Sequence, residues 1–211
     1  MKVTIIYDNE TWQEGLKADW GFSCLIEVYG RQILFDTGAN GSILLDNMKK
    51  LNIEPTQITE IFISHPHWDH TGGLSDFLEV NPVKVYIPLS CPEPHNAEEV
   101  VKIKESLKIH ENIFSTGELV NIEQSLAVKT EKGVIVIVGC SHPGVKLILD
   151  AASQFGKPYA IIGGLHGFSD FNLIRDIEFI CPTHCTQFKS EIKSSYPKKY
   201  ISGGVGKVIE I

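Results

Sequence analysis

The stretch Ser64-His65-Pro66-His67-Trp68-Asp69-His70 has the residue types and spacing to do chemistry. Three histidines and an aspartate fall within six residues, directly after the apolar run Ile61-Phe62-Ile63. A strand ending sharply there points the side chains at i and i+2 the same way. The turn that follows can bring i+4 and i+5 back toward the same pocket. Imidazole nitrogen and carboxylate oxygen are donors that zinc and iron take at roughly 2.0–2.2 Å. A surface loop that is merely His-rich is the bland alternative. The spacing reads as a metal loop.

Other candidates share one placement, just past the end of an apolar run. Asp36 follows Gln32–Phe35, His142 follows Val134–Val138, His166 follows Tyr159–Ile162, and His184 follows Ile177–Cys181. Asp36, beside Thr37-Gly38, suits a helix cap as far as its own position goes. The pair Leu34-Phe35-Asp36-Thr37-Gly38 and His65-Pro66-His67-Trp68-Asp69-His70 resembles the signature of the metallo-β-lactamase superfamily of metal-dependent hydrolases. Three further stretches sharpen it: Gly139-Cys140-Ser141-His142-Pro143-Gly144, Ile162-Gly163-Gly164-Leu165-His166 and Pro182-Thr183-His184-Cys185-Thr186. Together they resemble the branch that includes the dihydropterin–ribofuranosylaminobenzene-phosphate synthases of methanopterin synthesis. The likeness runs from about Trp20 to the C-terminus.

That resemblance implies an αββα sandwich, two sheets face to face with helices outside. It implies a first metal set of His65, His67 and His142 and a second of Asp69, His70 and His184. Asp36 would lie under the metal loop and orient it by hydrogen bonds. Three protein ligands per ion leave a position open, the catalytic arrangement, whereas structural zinc is closed by four. Zn2+ is the expected ion, with room for two per chain and iron or manganese as alternatives. A metal-bound water would be the nucleophile, with Asp69 at its side. His166 departs from the pattern: 24 residues after His142 (142 to 166), many relatives carry an aspartate bridging both metals. An imidazole offers one lone pair, so His166 would ligate one metal or donate a proton to the leaving group.

Other residues weigh less. Ser141 has an adjacent base in sequence only, and a loop role is the simpler reading. Cys140, Cys181 and Cys185 bracket the histidines and read first as small buried residues, with a thiolate ligand as the alternative. Cys91-Pro-Glu-Pro-His95 lacks a companion pair for a second metal site. Ser202-Gly203-Gly204-Val205-Gly206 is followed by a strand, so it reads as a turn and not a phosphate cradle.

At 211 residues the chain suits one domain, residues 1–211, with a sizeable core. The net charge of −7 argues against nucleic acid as a partner, because phosphate backbones need clustered Lys and Arg. Five cysteines with no leader sequence fit the cytoplasm. The longest apolar run, Val134–Val138, is far short of a membrane span. Nothing excludes an oligomer.

The elements expected to carry these residues are mixed. Strands are expected at 2–7, 24–29, 32–35, 58–64, 83–87, 119–122, 126–130, 134–138, 159–162, 177–181 and 207–211. Helices are expected at 42–51, 74–78, 145–155 and 187–196. A further helix, from Asn96 to about Lys108, rests on the capping-box spacing of Asn96 and Glu99. The leading function is a metal-dependent hydrolase acting on a small, phosphorylated or ester-like substrate. A transferase joining a pterin to an aryl phosphate is the second reading. An iron-dependent oxidoreductase is third, weakened because the flavin-linked branch usually has Glu where this chain has His67. A non-catalytic sensor would be favoured by an incomplete ligand set.

Overall fold

Runs of Val, Ile and Phe bounded by turn residues form thirteen strands in two sheets. The structure is a computed structural model and describes residues Met1–Ile211. The chain divides into two units, residues 1–102 with 203–211 and residues 103–202.

The first unit carries a seven-stranded sheet. Its strands are β1 (Lys2–Tyr7), β2 (Ser23–Val28), β3 (Arg31–Phe35), β4 (Glu60–Phe62), β5 (Lys84–Pro88), β6 (Glu99–Ile103) and β13 (Val208–Glu210), in the order β13-β1-β2-β3-β4-β5-β6. The hairpin β2–β3 turns at Tyr29 and Gly30, both left-handed. From β3 to β5 the pairing is parallel, which requires crossovers. Helices α1 (Gly41–Lys50), α2 (Trp68–Thr71) and α3 (Leu74–Val80) supply them. Asn40 starts α1 by accepting the Ile43 N–H on its side chain at 3.2 Å. The helices bury Leu44, Met48, Leu74, Phe77 and Leu78 against Ile61 and Val85 of the sheet and Ile63 just past β4. Each such side chain contributes roughly 1.5–3 kcal/mol on burial.

The second unit carries β7 (Leu107–His110), β8 (Ile113–Ser115), β9 (Leu126–Thr130), β10 (Gly133–Val138), β11 (Pro158–Gly164) and β12 (Phe179–Thr183), in the order β12-β11-β10-β9-β8-β7. β10, β11 and β12 are mutually parallel. Their unbroken apolar composition fits strands buried on both faces, and Val134 to Val138 are all fully buried. Helix α4 (Val145–Ala152) crosses from β10 to β11, and α5 (Lys189–Ser195) follows β12. Val145, Ile148, Ala152 and Ile192 of these helices join Val136, Ile161 and Ile180 in one core cluster.

Two expectations fail. No helix runs from Asn96 to Lys108: Asn96 has φ of +65° and the chain enters β6 at Glu99, then β7 at Leu107. The capping-box spacing loses to Val100, Val101 and Ile103, β-branched residues that fit an edge position beside β5. Residues 119–122 form a turn instead of a strand. Val120 and Asn121 are left-handed (φ +54° and +52°), and the Leu119 N–H reaches the Glu123 carbonyl at 2.8 Å. No helix is long and apolar enough to cross a membrane.

Candidate metal centre

In the first unit the register of β3 and β4 builds the site. Phe35 pairs with Phe62 in parallel, their rings stacked at 5.6 Å, so Asp36 emerges beside the segment leaving β4. Asp36 is fully buried with φ of +52°, a left-handed backbone that an aspartate adopts at a cost of roughly 1–2 kcal/mol. Its Oδ1 accepts the Ser64 N–H at 2.7 Å, and its Oδ2 accepts the Ser64 hydroxyl at 2.7 Å and meets His70 Nδ1 at 2.7 Å. The short helix α2 folds the loop back, leaving the ring centroids of His65 and His70 4.1 Å apart and those of His65 and His67 4.6 Å apart. Asp69 is buried, with Oδ2 3.9 Å from His70 Nε2. The return is close: a Cβ at Gly72 would meet the Ala39 carbonyl oxygen at 2.2 Å, and one at Gly73 the Thr37 carbonyl oxygen at 2.4 Å. This is the physical need for Gly72-Gly73.

The network assigns two tautomers. Ser64 Oγ has one proton and gives it to Asp36, so its 2.8 Å contact with His65 Nδ1 makes the imidazole the donor. An ionised Asp36 only accepts, so His70 Nδ1 also carries its proton. In the neutral form of each ring the Nε2 lone pair is then left for coordination, the arrangement in which a second ring nitrogen is held by a carboxylate or hydroxyl while the first binds metal.

In the second unit, parallel register brings three strand ends together. Val138 pairs with Gly163 and Gly164 with Thr183, so the loops bearing His142, His166 and His184 leave the same end of the sheet. Ligands sit outside the carboxyl ends of parallel strands for this geometric reason. Ser141, His166 and His184 all have positive φ (+59°, +47° and +45°), backbone strain of the kind concentrated at functional sites. The rings of His142 and His166 lie 5.2 Å apart, and His166 is exposed. Ser141 spends its hydroxyl on the Gly164 carbonyl at 2.7 Å, tying two of these loops together.

Glu123 carries no signal in the sequence and organises this end. It is fully buried; Oε1 accepts the N–H groups of Gly139, Cys140 and Ser141 at 3.2, 3.1 and 3.0 Å, and Oε2 accepts that of His142 at 2.8 Å. Four backbone donors on one carboxylate fix the loop that presents His142. Cys185 stands nearby with its thiol pulled down to about 6, first by its hydrogen bond with the Cys140 side chain. Burial opposes that shift, while the charge of His184 and hydrogen bonds with His166 add to it.

The sequence candidates thus gather at two places. Asp36, His65, His67, Asp69 and His70 lie at one end of the first sheet's parallel strands; His142, His166 and His184 lie at one end of the second's. Cys91 belongs to a hydrophobic core; of residues 202–206, Val205 bridges Thr11 in parallel, and the turn is closed by the Lys207 N–H on the Gly204 carbonyl at 3.0 Å. The donor set fits a divalent transition metal: imidazole nitrogens plus one carboxylate, Asp69. The Nε2 atoms of His65, His142 and His184 are buried and make no hydrogen bond within the protein.

Residues 21–151 match the family model described as the metallo-beta-lactamase superfamily. The chain belongs to the metallo-β-lactamase superfamily. The two-sheet α/β architecture is that of its members, which are metal-dependent enzymes, mostly hydrolases. The 7,8-dihydropterin-6-methyl-4-(beta-D-ribofuranosyl)-aminobenzene-5'-phosphate synthase of Methanocaldococcus jannaschii is 30% identical, covering 88% of this chain and 85% of that one. The ribonuclease Z of Lactobacillus acidophilus is 30% identical over 62% of this chain and 46% of its own. Among solved structures, Tm1679, a metal-dependent hydrolase of the beta-lactamase superfamily, superposes with a TM-score of 0.82 at 25% identity, covering 100% of this chain and 99% of that one.

Proposed function

We propose that this metallo-β-lactamase-fold protein is a metal-dependent hydrolase of a small phosphorylated or ester-like molecule, one domain over residues 1–211. The observation that carries this reading is the Asp36 carboxylate, which holds both the Ser64–His65 pair and His70 in the tautomers that metal binding needs. The superfamily pattern assigns His65, His67 and His142 to one ion and Asp69, His70 and His184 to the other. Zinc is the preferred ion and iron or manganese the alternatives. Ions held there supply Lewis acidity, acidifying a water and offsetting charge on the reacting group.

The chain's residues do the rest. Asp69, buried beside His70, orients the attacking water and accepts its hydrogen bond. His166, exposed at the end of β11, reaches solvent and substrate alike, and it donates the proton that the leaving group needs. Asp36 and Glu123 touch no substrate; they keep the ligand loops in place.

A net charge of −7 favours a small substrate over nucleic acid, despite the partial likeness to ribonuclease Z. Five cysteines, none in a disulfide, fit a reducing cytoplasm. A second reading, favoured by the synthase match over most of both chains, is transfer of a pterin to an aryl phosphate. There the same centre would steady a leaving pyrophosphate. Zinc-loaded protein assayed against a panel of phosphodiesters and lactones, and against a pterin pyrophosphate with an aryl phosphate acceptor, tests both. Chelator-sensitive hydrolysis supports the first reading. Pyrophosphate release that requires the acceptor replaces it with the second.

A further inference from the structure

Cys140 lies within reach of two of the proposed ligands. Its Sγ is within 4.8 Å of a ring nitrogen of His142 and within 4.8 Å of a ring nitrogen of His184. The superfamily pattern gives those two histidines to different ions. Cys140 is nearly buried, at 4% exposure, and is not in a disulfide. Its backbone is fixed on both sides: the N–H by Glu123 at 3.1 Å, and the carbonyl facing Cys185 Sγ at 3.8 Å. Gly164 makes room for the two thiol segments, since a Cβ there would meet Cys185 Sγ at 2.7 Å and Cys140 Cα at 3.3 Å.

Charge counts in the same direction. The six assigned ligands carry one negative charge, on Asp69, against the four positive charges of two divalent ions. A bridging carboxylate would add a second negative charge, and this chain has His166, which carries no negative charge, in its place. We propose that the Cys140 thiolate is a metal ligand that bridges the two ions, taking the role of the missing carboxylate. Thiolate sulfur is a soft donor with lone pairs to spare, and it suits zinc. With Zn–S near 2.3 Å and Zn–N near 2.0–2.1 Å, donors on one tetrahedral ion sit roughly 3.6 Å apart. Ion binding therefore shortens each sulfur–nitrogen separation by about 1.2 Å at most. On binding, the Cys140 S–H bond breaks, its proton goes to solvent, and sulfur–metal bonds form. The small-buried-residue role explains the burial of Cys140 but not the closeness of its sulfur to two metal-set histidines.

This inference rests on the dinuclear reading, and cobalt(II) separates the two. The full chain, stripped of metal and reloaded with cobalt(II), is measured for cobalt per chain and for thiolate-to-cobalt charge-transfer absorption in the near ultraviolet. The wild type should bind two ions and show that absorption. Cys140→Ser should lose it and fall toward one cobalt per chain. Cys140→Asp should regain two ions without the absorption, and Cys185→Ser should keep both properties. Metal-free melting temperatures of the variants, expected near the wild type's, guard against misfolding. Two bound cobalt ions with no thiolate absorption in the wild type, or absorption that survives Cys140→Ser, would overturn the Cys140 assignment while leaving the dinuclear reading standing. A wild type that binds no cobalt overturns both.

Discussion

Glu123 Oε2 accepts the backbone N–H of His142 at 2.8 Å, across 19 residues of sequence. The same carboxylate takes the three preceding N–H groups, so the loop's shape depends on one buried charge. In Glu123→Gln the amide NH2 must face one of those donors. The variant should lose about 2–4 kcal/mol of stability, and zinc affinity at the His142 set should drop about 10–100-fold. Denaturant melts and competitive zinc titration measure the two effects. Unchanged zinc affinity would reduce Glu123 to a purely structural residue.

Asp36 makes a sharper prediction because it sets protons. In Asp36→Asn the side-chain oxygen must stay on the Ser64 N–H, so the NH2 group takes the place of Oδ2. It then donates toward His70 Nδ1, which becomes an acceptor and pushes its proton to Nε2. Ser64 Oγ loses the same acceptor and turns its proton to His65 Nδ1. Zinc affinity should therefore fall about 10–100-fold at both ligand sets, with a stability cost of only about 1–3 kcal/mol. Nitrogen-15 chemical shifts of the His70 ring report the tautomer directly; a ring still protonated on Nδ1 would refute the chain of donors.

The residues of this site legible in the sequence are those marked by their immediate neighbours. His65, His67, Asp69 and His70 declare themselves by local spacing, and His142, His166 and His184 by following apolar runs. Glu123 sits in the polar run Asn121-Ile122-Glu123-Gln124-Ser125 and reaches its partners only through tertiary folding. Nothing local distinguishes it from a solvated glutamate. Residues 96–108 mislead for a related reason: a capping-box spacing is a local preference, and the open edge of β5 is a tertiary one. Ser64 was legible as part of the metal loop, but not as the hydroxyl that fixes the proton of His65.

His166 can be separated from the ligands by its effects. As proton donor, its replacement by alanine should leave metal content unchanged and slow turnover about 10²–10⁴-fold for substrates with poor leaving groups. Substrates with good leaving groups should hardly notice. Metal analysis and a leaving-group series on His166→Ala and His166→Asp give the answer; metal lost from the alanine variant would make it a ligand instead.

Cys185 should betray its environment by pH. Its thiol titrates near 6, below the ordinary 9.0, chiefly through the Cys140 hydrogen bond. A depressed acidic group favours the folded state above its unfolded pKa, and that contribution fades as pH falls through about 6. Alkylation of the metal-free protein by iodoacetamide, followed at this residue by mass spectrometry, should rise with a midpoint near 6. A midpoint at the ordinary value would contradict the Cys140 contact.

The most direct measurement is zinc per chain in the wild type, His65→Ala and His142→Ala, after reloading and exhaustive dialysis. The wild type should retain about two ions and each variant about one, with melting temperatures of the metal-free proteins nearly alike. Full occupancy in both variants would contradict the metal centre on which the proposed hydrolysis depends.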